Sequence, residues 1–210
     1  MPSINISPRK APRQQRSQET VAVILQAATR VLSRQSLAGF NTNRVAEVAG
    51  VSVGSLYQYF PNKAALVTAL IDRAQTELAE AFEKLVQQIQ NPVTGKRGNT
   101  LAESLHAVAQ LTISQQYANP VFAAALDHEE ARLPVQKQLR AAQERLLASV
   151  LQLFDHHQKE LATDLPESAA RDCFAITKAL VEMEAGVLKK PPLDLEWRIV
   201  RALLGYLTMR

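Results

Sequence analysis

A single cysteine, Cys173, stands in 210 residues. That excludes a disulfide framework and a multi-cysteine zinc site, each of which needs several thiols. Glycine is sparse, at seven residues, and aromatic side chains make up only 5%. Turns between strands need glycine and strands favour β-branched residues, so the composition argues against sheets and predicts an all-α fold. No apolar run approaches the roughly eighteen residues of a spanning helix. The N-terminal MPSINISPRKAPRQQR has no apolar core and is not expected to be a secretory signal. P-loop, G-x-G-x-x-G and G-x-S-x-G patterns are missing, so no sequence motif places a nucleotide or a hydrolase triad. These absences predict a non-enzymatic protein of a reducing compartment, the cytoplasm, with no cofactor and no metal.

What is present is a globular balance, 47% hydrophobic and 21% charged, in a chain long enough to bury a core without staples. The net charge of +4 is unevenly spread. Residues 1–63 hold eight basic and two acidic side chains, for +6, and the remainder sums to −2. A basic first third on a slightly acidic remainder points to a polyanion-binding module joined to a different partner domain. The alternative is a solvated basic arm.

Apolar periodicity and capping residues divide the chain into about nine helices. Residues 1–16, with Arg9, Lys10, Arg13 and Arg16, read as a flexible basic arm. Val21, Ile24, Leu25, Ala28, Val31 and Leu32 mark one helix face over about 17–35. Two short helices follow, Thr42–Ala49 and Val53–Tyr59, the second capped by Ser52. Asn62 caps a long helix from Lys63 to about Ile89. NPVTGKRGNT, 91–100, is the clearest break. Thr100 and Glu103 then form a capping box for a helix from Leu101 to Tyr117. Asn119-Pro120 starts a helix to about Ala131, and Pro134 opens one whose stripe reaches Leu161. Another runs from 164–167 to about Leu188, and Asp194 caps a last one to Thr208. The expected organisation is an arm (1–16), a first domain of short helices (17–63), a connecting helix (64–90) and a larger helical domain (91–210).

Two short helices joined through Gly50-Val51-Ser52 fit a helix-turn-helix. Gly50 supplies the positive φ of the reversal, Val51 plugs the turn, and Val45, Val48 and Ala49 let the helices pack closely. The second helix presents Val53, Gly54, Ser55, Tyr57 and Tyr59 near its outer face and N-terminus, the end that enters a major groove.

The segment GFNTNRVAEVAGVSVGSLYQYFPNKAALVTAL resembles the DNA-binding domain of the tetracycline-repressor (TetR) family of bacterial transcription regulators. It supplies that family's Leu-Tyr-x-[His/Tyr]-Phe followed by x-x-Lys, here Leu56-Tyr57-Gln58-Tyr59-Phe60 and Lys63, and the likeness spans about Thr20 to Leu70. The resemblance implies that Thr42 holds a phosphate and Asn43 reaches a base. It implies that Ser52, Val53, Gly54 and Ser55 start the recognition helix, that Tyr57 and Tyr59 touch phosphate or base, and that Lys63 sits near the backbone. Val53 and Gly54 depart from polar readout and leave only methyl or backbone contact there. The resemblance further implies a small-molecule effector between the middle helices of the second domain, with Tyr117, Phe122, Leu126 and Phe154 as lining and His106, Gln110, Gln116 and Tyr117 as polar anchors.

His128 beside Asp127, Glu129 and Glu130 reads as a solvated helix end rather than a metal cluster. His156 and His157 point about 100° apart on a helix and do not share a metal. Cys173 reads as a small core residue. The last helix carries Trp197, Ile199, Val200, Leu203, Leu204, Tyr206 and Leu207, an apolar face too wide for one core. With Phe174, Ile176, Leu180, Val181 and Leu188 of the helix before it, it predicts a self-complementary interface with a second copy. The reading is a homodimeric transcriptional repressor released from a palindromic operator by an effector. An enzyme with a pocket histidine and a helix-turn-helix used for protein contacts are the rivals.

Overall fold

The structure, a computed structural model, describes residues 6, 15–92, 98–162, 164–185 and 187–209. Arg9, Lys10 and Arg13 of the expected arm, and the side chain of Arg16, lie outside the described residues. Nine α-helices and no strand occur among those described: α1 (Gln15–Gly39), α2 (Thr42–Ala49), α3 (Val53–Tyr59), α4 (Lys63–Gln90), α5 (Leu101–Ala118), α6 (Pro120–Glu130), α7 (Gln136–His156), α8 (Pro166–Ala185) and α9 (Leu195–Thr208).

Local chemistry sets most of these ends. Thr100 and Glu103 close the capping box expected for α5, and Asn62 Oδ1 accepts from Ala65 N–H at 2.8 Å to start α4. α1 breaks at Ser36, whose φ of 54° and ψ of −173° are not helical, so the continuous part ends at Gln35 as the periodicity predicts. Two expectations fail. Asp194 makes no side-chain cap bond to α9. The α7 stripe was expected to reach Leu161, but the helix ends at His156 because His157 and Glu160 turn back to bind α5.

The chain divides differently from the expected boundaries. One compact unit comprises residues 1–74 and 121–140, the other 75–120 and 141–210. In the first, Ile24, Leu32, Leu56, Phe60, Leu66 and Leu70 bury one core, and Ala125, Leu126, Leu133, Val135 and Leu139 belong to it. Full burial of each such side chain contributes about 1.5–3 kcal/mol. The helix-turn-helix is therefore completed by α6 and the start of α7, far along the chain. In the second unit, Phe82, Val86, Leu101, Leu105, Leu153, Phe154, Ala170, Ile199 and Leu203 form a separate core. There α5, α8 and α9 pack on one another, and a two-pronged Arg145–Glu83 pair at 2.8 Å ties α7 to α4.

Candidate nucleic-acid interface

α2 and α3 are built by short-range capping on a buried floor. Asn41 Oδ1 accepts from Arg44 N–H at 2.9 Å. At the other end Gly50 adopts φ 68°, Gly50 N–H reaches Glu47 O at 3.1 Å and Val51 N–H reaches Ala46 O at 3.0 Å. That is a Schellman closure, which needs a residue at ease with positive φ. Ser52 Oγ accepts from Ser55 N–H at 3.0 Å and starts α3. Val45, Ala46, Leu56 and Phe60 are buried. Val48, expected inside, is 37% exposed, and Ala46 takes the inner position instead.

This frame holds two tyrosines by their hydroxyls. Tyr57 Oη lies 3.0 Å from Thr42 Oγ1, which joins α3 to the first turn of α2. Tyr59 Oη lies 3.1 Å from Ser17 Oγ in α1. Thr42 and Tyr57 are thus brought together, Tyr59 is turned instead to α1, and Asn43, Val53, Gly54 and Tyr57 remain exposed. Gly54 has room for a Cβ, the nearest atom being Ser52 Oγ at 3.8 Å. Glycine inside a helix costs roughly 1 kcal/mol relative to alanine, and nothing in the packing requires it here. A bare backbone at this place suits close approach of another surface. Lys63 is placed otherwise: Nζ donates to Leu37 O at 3.1 Å and stands 5.5 Å above the centre of the Phe40 ring. Ser17, the partner of Tyr59, carried no sequence signal.

Residues 24–70 match the model of the bacterial regulatory proteins of the tetR family. TtgR of Pseudomonas putida, an HTH-type transcriptional regulator, is 35% identical over 112 residues, covering 46% of this chain and 53% of that protein. Two solved structures share the fold. One, from Mesorhizobium loti and assigned to the TetR family, superposes with a TM-score of 0.72 at 17% identity, over 92% of this chain and 97% of that one. The other, the fatty acid degradation regulator FadR of Bacillus halodurans, gives 0.67 at 19%, over 90% and 99%. Residues 24–70 are thus similar to the tetR-family domain, and the likeness of the whole chain to these solved structures is one of fold. The chain spans about half the length of the curated relatives it matches.

The expected pocket residues do not gather in one unit. Phe122 packs on the first core and Leu126 is buried in it. Phe154 is buried in the second. His106 Nδ1 lies 2.7 Å from Glu196 Oε1, and Gln110 Nε2 donates to the same oxygen at 3.1 Å, so both tie α5 to α9. Trp197 meets His106 edge to face. The Tyr117 hydroxyl is buried with no hydrogen-bond partner among the described residues. Burial, and then Glu184, push its pKa up.

One arrangement in the second unit has no sequence signature. Ser104 Oγ lies 2.9 Å from His157 Nε2, and His157 Nδ1 lies 2.9 Å from Glu160 Oε1. The order is that of a hydrolase triad, but Ser104 has no exposed surface and His157 is 4% exposed. No carbonyl reaches a nucleophile so enclosed. The Glu160 carboxylate instead accepts the Leu101 N–H, capping the start of α5. Among the described residues, no group of three or more histidine, cysteine, aspartate or glutamate side chains is placed to hold a metal ion.

The expected dimer residues separate into two classes. Val181, Val200, Leu203 and Leu207 are buried in the chain's own core and are unavailable to a partner. That is a correction, and its reason is that the inner side of the wide α9 face packs on α5 and α8. Trp197 and Leu188 are exposed, and Phe174, Leu180 and Leu204 are half-buried. Met183, Val187, Leu193 and Tyr206 add to the exposed apolar surface.

Proposed function

We propose that this chain is a cytoplasmic, DNA-binding transcriptional repressor that acts as a homodimer on a palindromic operator. The observation that carries the proposal is that the family match falls on the two capped helices whose outer side leaves Asn43, Val53, Gly54 and Tyr57 exposed. The +6 charge of residues 1–63 supports the same reading, because a neutral protein-contact module has no need of it. Two copies joined through Trp197, Leu204 and their neighbours would present two α3 helices to two half-sites.

The reading includes release by a small, mostly apolar effector bound in the second unit, with the unpartnered Tyr117 hydroxyl as its polar anchor. An effector that prefers a dimer with another spacing of its two recognition helices shifts the population toward it. It lowers operator affinity only by its differential affinity for the two spacings. No catalytic role is assigned.

The test is fluorescence anisotropy of the full chain with duplex DNA. Tyr57→Phe removes one hydroxyl and is expected to weaken binding by about 1.5–3 kcal/mol, the range for a hydrogen bond to a charged group. Equal binding by Tyr57→Phe and Tyr59→Phe variants would sink the assignment of these hydroxyls to DNA.

A further inference from the structure

A groove of about 220 Å³ runs between α1 and α2, outside the proposed recognition surface. Arg30, Arg34, Gln35 and Arg44 surround it, and Val31 and Val48 line it. Arg30 and Arg34 are four residues apart on α1, so they share one face with Cβ atoms about 5–6 Å apart. Both are exposed, and among the described residues neither pairs with a carboxylate. Arg44 is held by Glu47 at 2.6 Å. Val48 leaves the inner face of α2 and opens onto this groove.

We propose that the groove holds the sugar–phosphate backbone of duplex DNA flanking the half-site, a contact that rests on the DNA-binding reading above and lengthens it. Guanidinium forks match phosphate oxygens two at a time. The apolar floor suits the deoxyribose edge, which has few groups to bond. Arg44 follows Thr42 and Asn43 on the same helix, so the groove continues the proposed interface instead of standing apart from it. Single exposed ion pairs contribute little. An array of phosphates adds counterion release at every neutralised charge, so an open, cation-rimmed groove is effective toward a polyanion and weak toward a lone ion. Glu47 restrains Arg44 and keeps binding to arbitrary duplex low.

The experiment measures duplex affinity of the full chain over a range of salt concentrations, on an operator-like and on a random duplex. Arg30→Ala/Arg34→Ala is expected to flatten the log–log salt slope by about one unit per arginine in each protomer. The affinity loss should be equal on both duplexes, with the circular dichroism melt unchanged. Arg30→Lys/Arg34→Lys retains the slope and loses part of the affinity, and Glu47→Gln tightens binding to both duplexes. A double alanine variant with the wild-type slope overturns the proposal. A wild-type chain with no salt-dependent duplex binding overturns the DNA-binding reading itself, which is a separate result.

Discussion

Lys63 Nζ donates to the carbonyl oxygen of Leu37 at 3.1 Å, across 26 positions of sequence. The bond closes the end of α1 just past Ser36, whose φ of 54° with extended ψ is a region nearly reserved for glycine. Lys63→Ala is therefore expected to cost about 1 kcal/mol of stability through the lost bond and the lost contact over Phe40. For a chain of this size that lowers the melting temperature by about 2–4 °C. Ser36→Gly should raise it by relieving strain of about 1–3 kcal/mol. Calorimetry of both variants checks the pair. An unchanged melt for Lys63→Ala would return that ammonium to a DNA-facing role alone.

The two classes of apolar residue on α9 make opposite predictions. Trp197→Glu is expected to yield a folded monomer in sedimentation velocity, since Trp197 is exposed and the charge falls on the face left to a partner. Leu203→Ala removes side-chain volume from the chain's own core and is expected to cost about 2–5 kcal/mol while any dimer persists in the folded fraction. A wild-type monomer at micromolar concentration would contradict the dimer.

Cys173 is buried, and burial, with Asp172 as a lesser cause, pushes its thiol up to about 12. The thiolate is the reactive form. Iodoacetamide at pH 8 should leave the folded chain unlabelled and alkylate it fully in denaturant. Fast labelling of the folded chain would mean that α8 opens.

Arg145, by its hydrogen bond and charge, holds the Glu83 carboxyl below its ordinary value. A carboxylate with a depressed folded pKa adds stability that is present above the unfolded value and disappears as pH falls through the folded one. Arg145→Met should therefore lower the melting temperature at pH 7 and change it little near pH 3. Equal losses at both pH values would assign the effect to packing of the arginine stem.

The short helices were the most legible part of the sequence. Asn41, Gly50, Ser52 and Asn62 act on groups within four residues, so α2 and α3 begin and end where their caps predict. The Ser104–His157–Glu160 chain was not legible, because its partners are brought together only by the fold and it shortens α7 against the apolar stripe. Periodicity shows that Leu126 and Leu139 face inward without naming the core they enter, and both enter the one that holds Val45 and Leu56 of α2 and α3. The same limit applies to Val200 and Leu203, whose apolar face carries no mark separating a chain's own core from its partner. The TetR resemblance singles out Tyr57 and Thr42, but their mutual hydrogen bond was not legible in the sequence.

The central claim is that α2 and α3 read duplex DNA as a pair of copies. Selection of bound sequences from a pool of random duplexes by the full chain tests it directly. The account predicts enrichment of one inverted repeat, with half-sites at a fixed spacing, and loss of that enrichment in a Tyr57→Ala/Tyr59→Ala variant that stays folded. Recovery of no common sequence by the wild type, or equal enrichment by the folded variant, would contradict it.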